Sequence, residues 1–434
     1  MTVVGVISWS IVAVLLASLF LRKGDVLAPA RTLTLVWAGA IGLCELKLSA
    51  LQHTWSAYSW MVLLAGPVAF LLGIAAVAST RLWEPLRPVE DVRDRLGREA
   101  RERFAEGRFF RTIVYMFVAY AVAFVTEVVI EGTVPAFSDR PDIMRTEFGV
   151  FGLHLIVNGM MSIVILSMEF LFLMRPSRSR RWMTIAIVAI TTLSYALMLQ
   201  RYTFFVVGVI VLAMAYYTTR WVRARNLLPF AAVFVVLLFL INQIRAARYI
   251  QEYVYFVSKM RFSRHLWFLA EPYMYVTMNL ENFARAVDKL NFHTWGYFLF
   301  DPVLALTGLK HWLGEYFMIE RLPYLISGYN TFTFHWWYYY DFGVVGVALM
   351  PFLTGIVTAH LYYRLRTDPQ PLTMVFYASC VLLMVISYFM NPLNRLDFVS
   401  NIFVIWFVHR YVIRRREVSV PAGQALNPAL SGGA

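Results

Sequence analysis

Ten arginines lie in or beside stretches that interrupt long apolar runs, in a chain where charge is otherwise scarce. They are Arg140 and Arg145, Arg201, Arg245 and Arg248, Arg261, Arg264, Arg285, Arg321 and Arg395. A guanidinium presents a planar fork of donors that matches phosphate oxygens two at a time. A set of this kind suits the binding of a diphosphate. Each arginine has a second reading, in which it reaches a lipid head group or pairs with a nearby acid. Arg201 resists that reading best, because it stands in a tight turn between two apolar runs. Arg245 and Arg248 are three residues apart and share a helical face.

Groups able to move a proton accompany the arginines. The stretch 328–343, GYNTFTFHWWYYYDFG, is the most aromatic window in the chain and carries His335 and Asp341 among its rings. Either could take a proton from a sugar hydroxyl. His335 is equally readable as a structural histidine in an aromatic belt, and Asp341 as the cap of the apolar helix that follows. Tyr329, Asn330 and Thr331 offer hydrogen bonds and a ring face to a sugar. Glu271, Glu281, Glu315 and Asp397, with His265, His293 and His311, are further candidates in the same regions. No phosphate loop, zinc spacing or nucleophile elbow is present. Asp139 and Asp142 lack a metal-binding spacing, so no metal and no cofactor is expected. Cys44 and Cys380 lie in apolar runs and read as small buried hydrophobes.

The elements that hold these groups are membrane helices. Hydrophobic residues make up 60% of the 434 and charged residues 15%, with a mean hydropathy of +0.61. A soluble domain carries roughly a quarter charged residues, so the expected class is an all-α polytopic membrane protein. Windows of about 20 apolar residues occur near 3–21, 32–50, 59–79, 112–130, 151–174, 182–198, 202–217, 226–242, 343–363, 371–389 and 398–413, which makes about eleven transmembrane helices. The first has no basic residue before it and Arg22 and Lys23 after it, and reads as an anchor with its N-terminus outside.

That orientation places Arg31, the arginine-rich loop 80–111, Arg175 to Arg181, Arg220 to Arg225, Arg364, Arg366 and Arg410 to Arg416 all in the cytoplasm, as expected for basic loops. The ten arginines and the stretch 328–343 then lie outside. The net charge of +13 follows this topology and suits anionic head groups; no nucleic-acid module is present. Within 80–111, Val89, Val92, Leu96, Ala100 and Phe104 recur at helical spacing, predicting an amphipathic helix on the inner leaflet or at a partner. The region 243–342 predicts interfacial or re-entrant helices, one of them across 273–290 behind Pro272. Glu45 and Lys47 are two residues apart and share no helical face. Residues 1–417 read as a single polytopic membrane domain and 418–434 as a disordered tail.

Several pieces together resemble the oligosaccharide repeat-unit polymerases, the Wzy-type O-antigen polymerases. They are Asn330-Thr331-Phe332-Thr333-Phe334, Tyr340-Asp341-Phe342-Gly343 with Gly346, Gly132-Thr133-Val134-Pro135-Ala136-Phe137 with Arg140 and Arg145 downstream, and the turn ending in Arg201. The run His335-Trp336-Trp337 is bulkier and more polar than the family pattern. The resemblance implies a GT-C-like fold in the bacterial cytoplasmic (inner) membrane. It implies a metal-independent glycosyltransferase that moves a glycan from undecaprenyl diphosphate to the sugar hydroxyl of another lipid-linked unit, with a flippase and a chain-length regulator of the same pathway as partners. The alternatives are an O-antigen ligase or another lipid-diphosphate glycosyltransferase, a polysaccharide or lipid transporter, and a noncatalytic scaffold.

Overall fold

A computed structural model describes residues 2–21, 24–222, 248–320 and 323–414. Among the described residues the chain is helical, with no β-strand beyond two isolated bridges. The long helices are α1 (Val3–Leu21), α2 (Pro29–Cys44), α3 (Ala57–Thr80), α4 (Val89–Arg103), α5 (Glu106–Glu131), α6 (Met160–Leu173), α7 (Arg178–Ala196), α8 (Arg201–Thr218), α9 (Arg248–Val257), α10 (Ala270–Lys289), α11 (Trp336–Thr367), α12 (Pro371–Ile386) and α13 (Leu396–Val412). Every apolar window falls on a helix except 226–242, which lies outside the described residues, as do 415–434.

Among the described residues, five helical stretches are long and apolar enough to cross a membrane: Ala57–Thr80, Glu106–Phe137, Leu153–Leu173, Arg201–Thr218 and Trp336–Thr367. A helix satisfies its own backbone, which is what lets these segments stay helical in an apolar medium. The 18 residues of α8 rise about 27 Å at about 1.5 Å each. By contrast, α2 and α12 have 16 residues each and α13 has 17, short of the roughly 20 that a straight crossing needs.

The long helices run back and forth between two ends of the bundle. At one end, Arg93 donates to the carbonyl of Tyr216 near the close of α8, Arg101 to Leu173 at the close of α6, and the amide of Arg87 to Arg366 near the close of α11. At the other end lie the starts of α6, α8, α11 and α13. The region 248–320 gathers there as α9, α10 and two short helices, Asp301–Leu306 and Leu309–Tyr316.

The closest pairing is α3 with α11. A Cβ on Gly73 would stand 2.1 Å from the carbonyl oxygen of Phe352, and one on Gly355 would stand 2.2 Å from that of Phe70. Only glycine permits this backbone approach, the usual device for packing apolar helices together without a polar seam. α11 is broken near its start: Gly343 has φ 60° and ψ −145°, a conformation natural to glycine. The break turns residues 336–342 into a short buried helix ahead of the long one.

Three sequence expectations are corrected. The amphipathic helix is present as α4, but Val92, Leu96 and Ala100 are fully buried against α6 and α8 rather than laid on a leaflet; the helix ends seal the apolar face. The helix expected over 273–290 starts at Ala270 with Pro272 in its first turn, where no amide partner is lost. It is buried on most sides, including Glu281, so it is a core element and not an interfacial one. Glu45 and Lys47 do meet, with Nζ 3.7 Å from Oε1. α2 stops at Cys44, and Lys47 adopts φ 49° and turns back, so helical spacing does not apply. Lys47 also pairs at 3.0 Å with Glu281, which further accepts from the Trp55 indole at 2.9 Å.

Candidate functional site

Two arginines that are far apart in the sequence come to the same end of the bundle, each held on a tyrosine ring. Arg201 and Tyr202 open α8, and Arg395 precedes α13, so both helices present their first residues at the same end of the bundle. The Arg395 guanidinium lies 4.2 Å from the centre of the Tyr202 ring. It forms a forked pair with Asp397, Nε to Oδ1 at 3.0 Å and Nη2 to Oδ2 at 2.7 Å. Partial burial works against its charge, and Asp397 more than offsets this, so its pKa is raised above the ordinary arginine value. Its side chain is still 41% exposed, which leaves donors available to a ligand.

Arg201 is held in the same manner by different residues. Its Nη2 donates to the Tyr275 hydroxyl at 3.3 Å, its guanidinium stands 5.9 Å from the Tyr275 ring centre, and its Nη1 is 3.8 Å from Glu271 Oε1. Guanidinium on an aromatic face is attractive by roughly 0.5–1 kcal/mol at exposed sites and keeps the fork oriented without consuming its donors. Tyr275 in turn packs on Phe389.

Beneath this mouth is a polar floor. The Tyr195 hydroxyl bonds the side chains of Asn158, Gln200 and Thr203 at 2.8, 3.0 and 2.9 Å, and Asn401 receives the amide of Ser162 and donates to the carbonyl of Asn158. A water-sized crevice of about 10 Å³ is lined there by Tyr202, Asp397 and Asn401 among others. Arg140 precedes the short helix Pro141–Glu147, and Arg145 lies in its last turn. Their loop is pinned to the α7–α8 turn by the amide of Ala136 donating to Leu197, which brings them to the same end. Arg245 and Arg321 lie outside the described residues; Arg248 opens α9, and its side chain is likewise outside them.

The aromatic stretch has a different environment. His335 is fully buried. Its ring stacks on Trp37 at 4.8 Å and lies directly over Gly66, where a Cβ would stand 2.0 Å from Nε2. Phe283 and Phe334 close the other sides. Ser387 holds two of these walls, accepting from the Trp37 indole and, through its carbonyl, from the Phe334 amide. Among the described residues neither His335 ring nitrogen has a hydrogen-bond partner. Asp341 is also fully buried, and its carboxylate accepts from three donors. Oδ1 accepts from Thr294 Oγ1 at 2.5 Å and the Phe298 amide at 3.1 Å, and Oδ2 accepts from the Leu299 amide at 2.7 Å. It therefore caps the turn at 294–299, not the helix that follows it.

The expected sugar-binding residues are divided. Tyr329 bonds Ser258 at 2.6 Å; burial raises its phenol above the ordinary value, and that bond offsets part of the rise. The Thr331 hydroxyl donates to Asn279, and only Asn330 faces solvent. Asn282 completes the seam, donating to the Thr331 carbonyl and accepting from the Ile326 amide, both at 2.9 Å. Sequence reasoning missed Tyr202, Tyr275, Asn279 and Asn282. The last three fall at i, i+4 and i+7 of one helix, a polar stripe visible in the sequence. The two cysteines are free. Among the described residues no group of three or more His, Cys, Asp or Glu is placed to hold a metal ion.

Comparison of the chain with protein-family models, with curated proteins and with solved structures finds no significant match.

Proposed function

We propose that this chain is a membrane glycosyltransferase that polymerises oligosaccharide repeat units carried on undecaprenyl diphosphate at the outer face of a bacterial cytoplasmic membrane. The observation that carries the reading is the placement of Arg201 on Tyr275 and Arg395 on Tyr202 at one end of the bundle, with side chains that remain 21% and 41% exposed. The opposite end of the bundle holds the basic loops, and this reading takes it as cytoplasmic under the charge rule, with the arginine mouth outside.

In the transfer, a base removes the proton of the acceptor sugar hydroxyl, and the hydroxyl oxygen bonds to the anomeric carbon of the donor. The bond from that carbon to the diphosphate breaks, and its electron pair leaves with undecaprenyl diphosphate. Arg201 and Arg395 neutralise the charge that grows on the departing diphosphate, with Arg140 and Arg145 at the rim. For the base we favour Glu271, which stands beside Arg201 with its side chain 21% exposed. His335 is walled off by rings, and Asp341 has its lone pairs committed to three donors, so both serve better as supports.

The test is assembly of polymer in vitro from a lipid-linked repeat unit. Arg201→Ala is expected to lower long-chain product about 100-fold, the loss of one or two hydrogen bonds to a charged group. Undiminished product from that variant would sink the assignment, and transfer to lipid A core would make the chain a ligase. One observation favours a transporter: the broken helix at Gly343, since interrupted helices line transport sites. Substrate moving across reconstituted vesicles with no glycosidic bond made would select that reading.

A further inference from the structure

The end of the bundle opposite the Arg201 mouth carries a second arginine cluster that the proposed transfer does not use. A groove of about 750 Å³ runs between α4 and the closing residues of α6 and α8. Its charged lining is Arg93, Arg98, Arg101, Arg175 and Arg220 against a single carboxylate, Asp94.

These arginines have unequal work inside the protein. Arg93 is 8% exposed and donates to the carbonyls of Tyr216 and Val222. Arg101 donates to the carbonyl of Leu173 at 3.2 Å. Both satisfy orphan carbonyls where α8 and α6 end, the position that favours a cation. Arg220 pairs loosely with Asp94 at 3.4 Å, both well exposed. Arg98 and Arg175 are exposed, and among the described residues neither has an ion pair or a side-chain hydrogen bond. Five guanidiniums facing one cavity repel one another, and an anion between them relieves that repulsion.

The level of the groove identifies the anion. Leu173 and Thr218 are the last residues of two helices apolar enough to cross a membrane, so the groove opens where those helices leave the hydrocarbon. Trp221 lines it and is 86% exposed, and an indole prefers the head-group layer. Phe172, in the last turn of α6, adds an apolar wall.

We propose that this groove binds the head group of an anionic membrane lipid. Arg98 and Arg175 take the phosphodiester oxygens, and the acyl chains lie along α6 and α8. The volume exceeds what one phosphate needs and accommodates a head group carrying two. A zwitterionic lipid brings its own cation, which the arginines repel. A free phosphate would satisfy the arginines but would leave the apolar lining unused.

Native mass spectrometry of the full-length protein, with cardiolipin, phosphatidylglycerol, phosphatidylcholine or inorganic pyrophosphate added in separate arms, tests this. Cardiolipin and phosphatidylglycerol should be retained over phosphatidylcholine, and the double variant Arg98→Ala/Arg175→Ala should retain them about tenfold less or weaker still. Those substitutions leave the carbonyl contacts of Arg93 and Arg101 in place. Arg98→Lys/Arg175→Lys keeps the charge but loses the fork, and should fall between the double alanine variant and the native protein. Arg178→Ala, a surface arginine outside the groove, should match the native protein. The proposal is overturned by retention that ignores head-group charge, by an equal loss in Arg178→Ala, or by pyrophosphate binding at the groove without any lipid preference.

Discussion

The mouth around Tyr202 and the aromatic plug around His335 are built from the same two kinds of residue, rings and ionisable groups, and use them in opposite ways. At the mouth the rings of Tyr202 and Tyr275 lie against guanidiniums whose side chains stay partly exposed. In the plug, Trp37, Phe283 and Phe334 enclose His335 on all sides, while Asp341 spends its lone pairs on a turn. Enclosure, and not residue type, separates a group that can meet a substrate from one that holds the fold. A ring against a guanidinium orients it at little cost in donors; a ring against an imidazole removes water and offers no hydrogen bond in return.

That contrast can be broken at either region. The largest effect is expected at the mouth. Arg201→Ala/Arg395→Ala should lower polymer yield on the order of 10⁴-fold, summing the charged hydrogen bonds lost by two arginines, with little change in thermal stability because both side chains are partly exposed. Lysine at both positions should not restore the yield, since a point charge lacks the fork. Wild-type yield from the double variant would remove the mouth from the chemistry. In the plug the expected effect falls on stability. Asp341→Ala strands the Thr294 hydroxyl and two buried amides, and should cost about 3 kcal/mol, read as a lowered melting temperature in detergent. Asp341→Asn, which keeps an acceptor, should cost less. An Asp341→Ala protein that melts like wild type yet makes no polymer would reverse the roles of the two regions. The smallest effect is expected from His335→Phe, which keeps the ring over Gly66 and deletes two nitrogens that have no partner among the described residues. Stability should stay within about 1.5 kcal/mol and polymer yield should be unchanged; loss of yield in a well-folded variant would return His335 to the chemistry.

Much of the architecture was legible because it rests on local periodicity. Apolar windows located the helices, and Val92, Leu96 and Ala100 marked the buried face of α4 from their spacing alone. What that spacing could not say is that the face packs against the ends of α6 and α8. Glu45 and Lys47 were misread for a related reason, since a helical rule was applied across a turn. The polar stripe Tyr275, Asn279 and Asn282 was visible, but its meaning came from the chain segment 326–331 that it fastens.

The sequence by itself determined that the protein is helical and apolar enough for a membrane, and it singled out an unusual set of arginines, because hydropathy and charge act residue by residue. Only the tertiary structure decided which ionisable groups remain open. Arg395 reaches Tyr202, and Trp37 reaches His335, across long stretches of intervening chain, and burial is set by such contacts rather than by any property of the residue being buried.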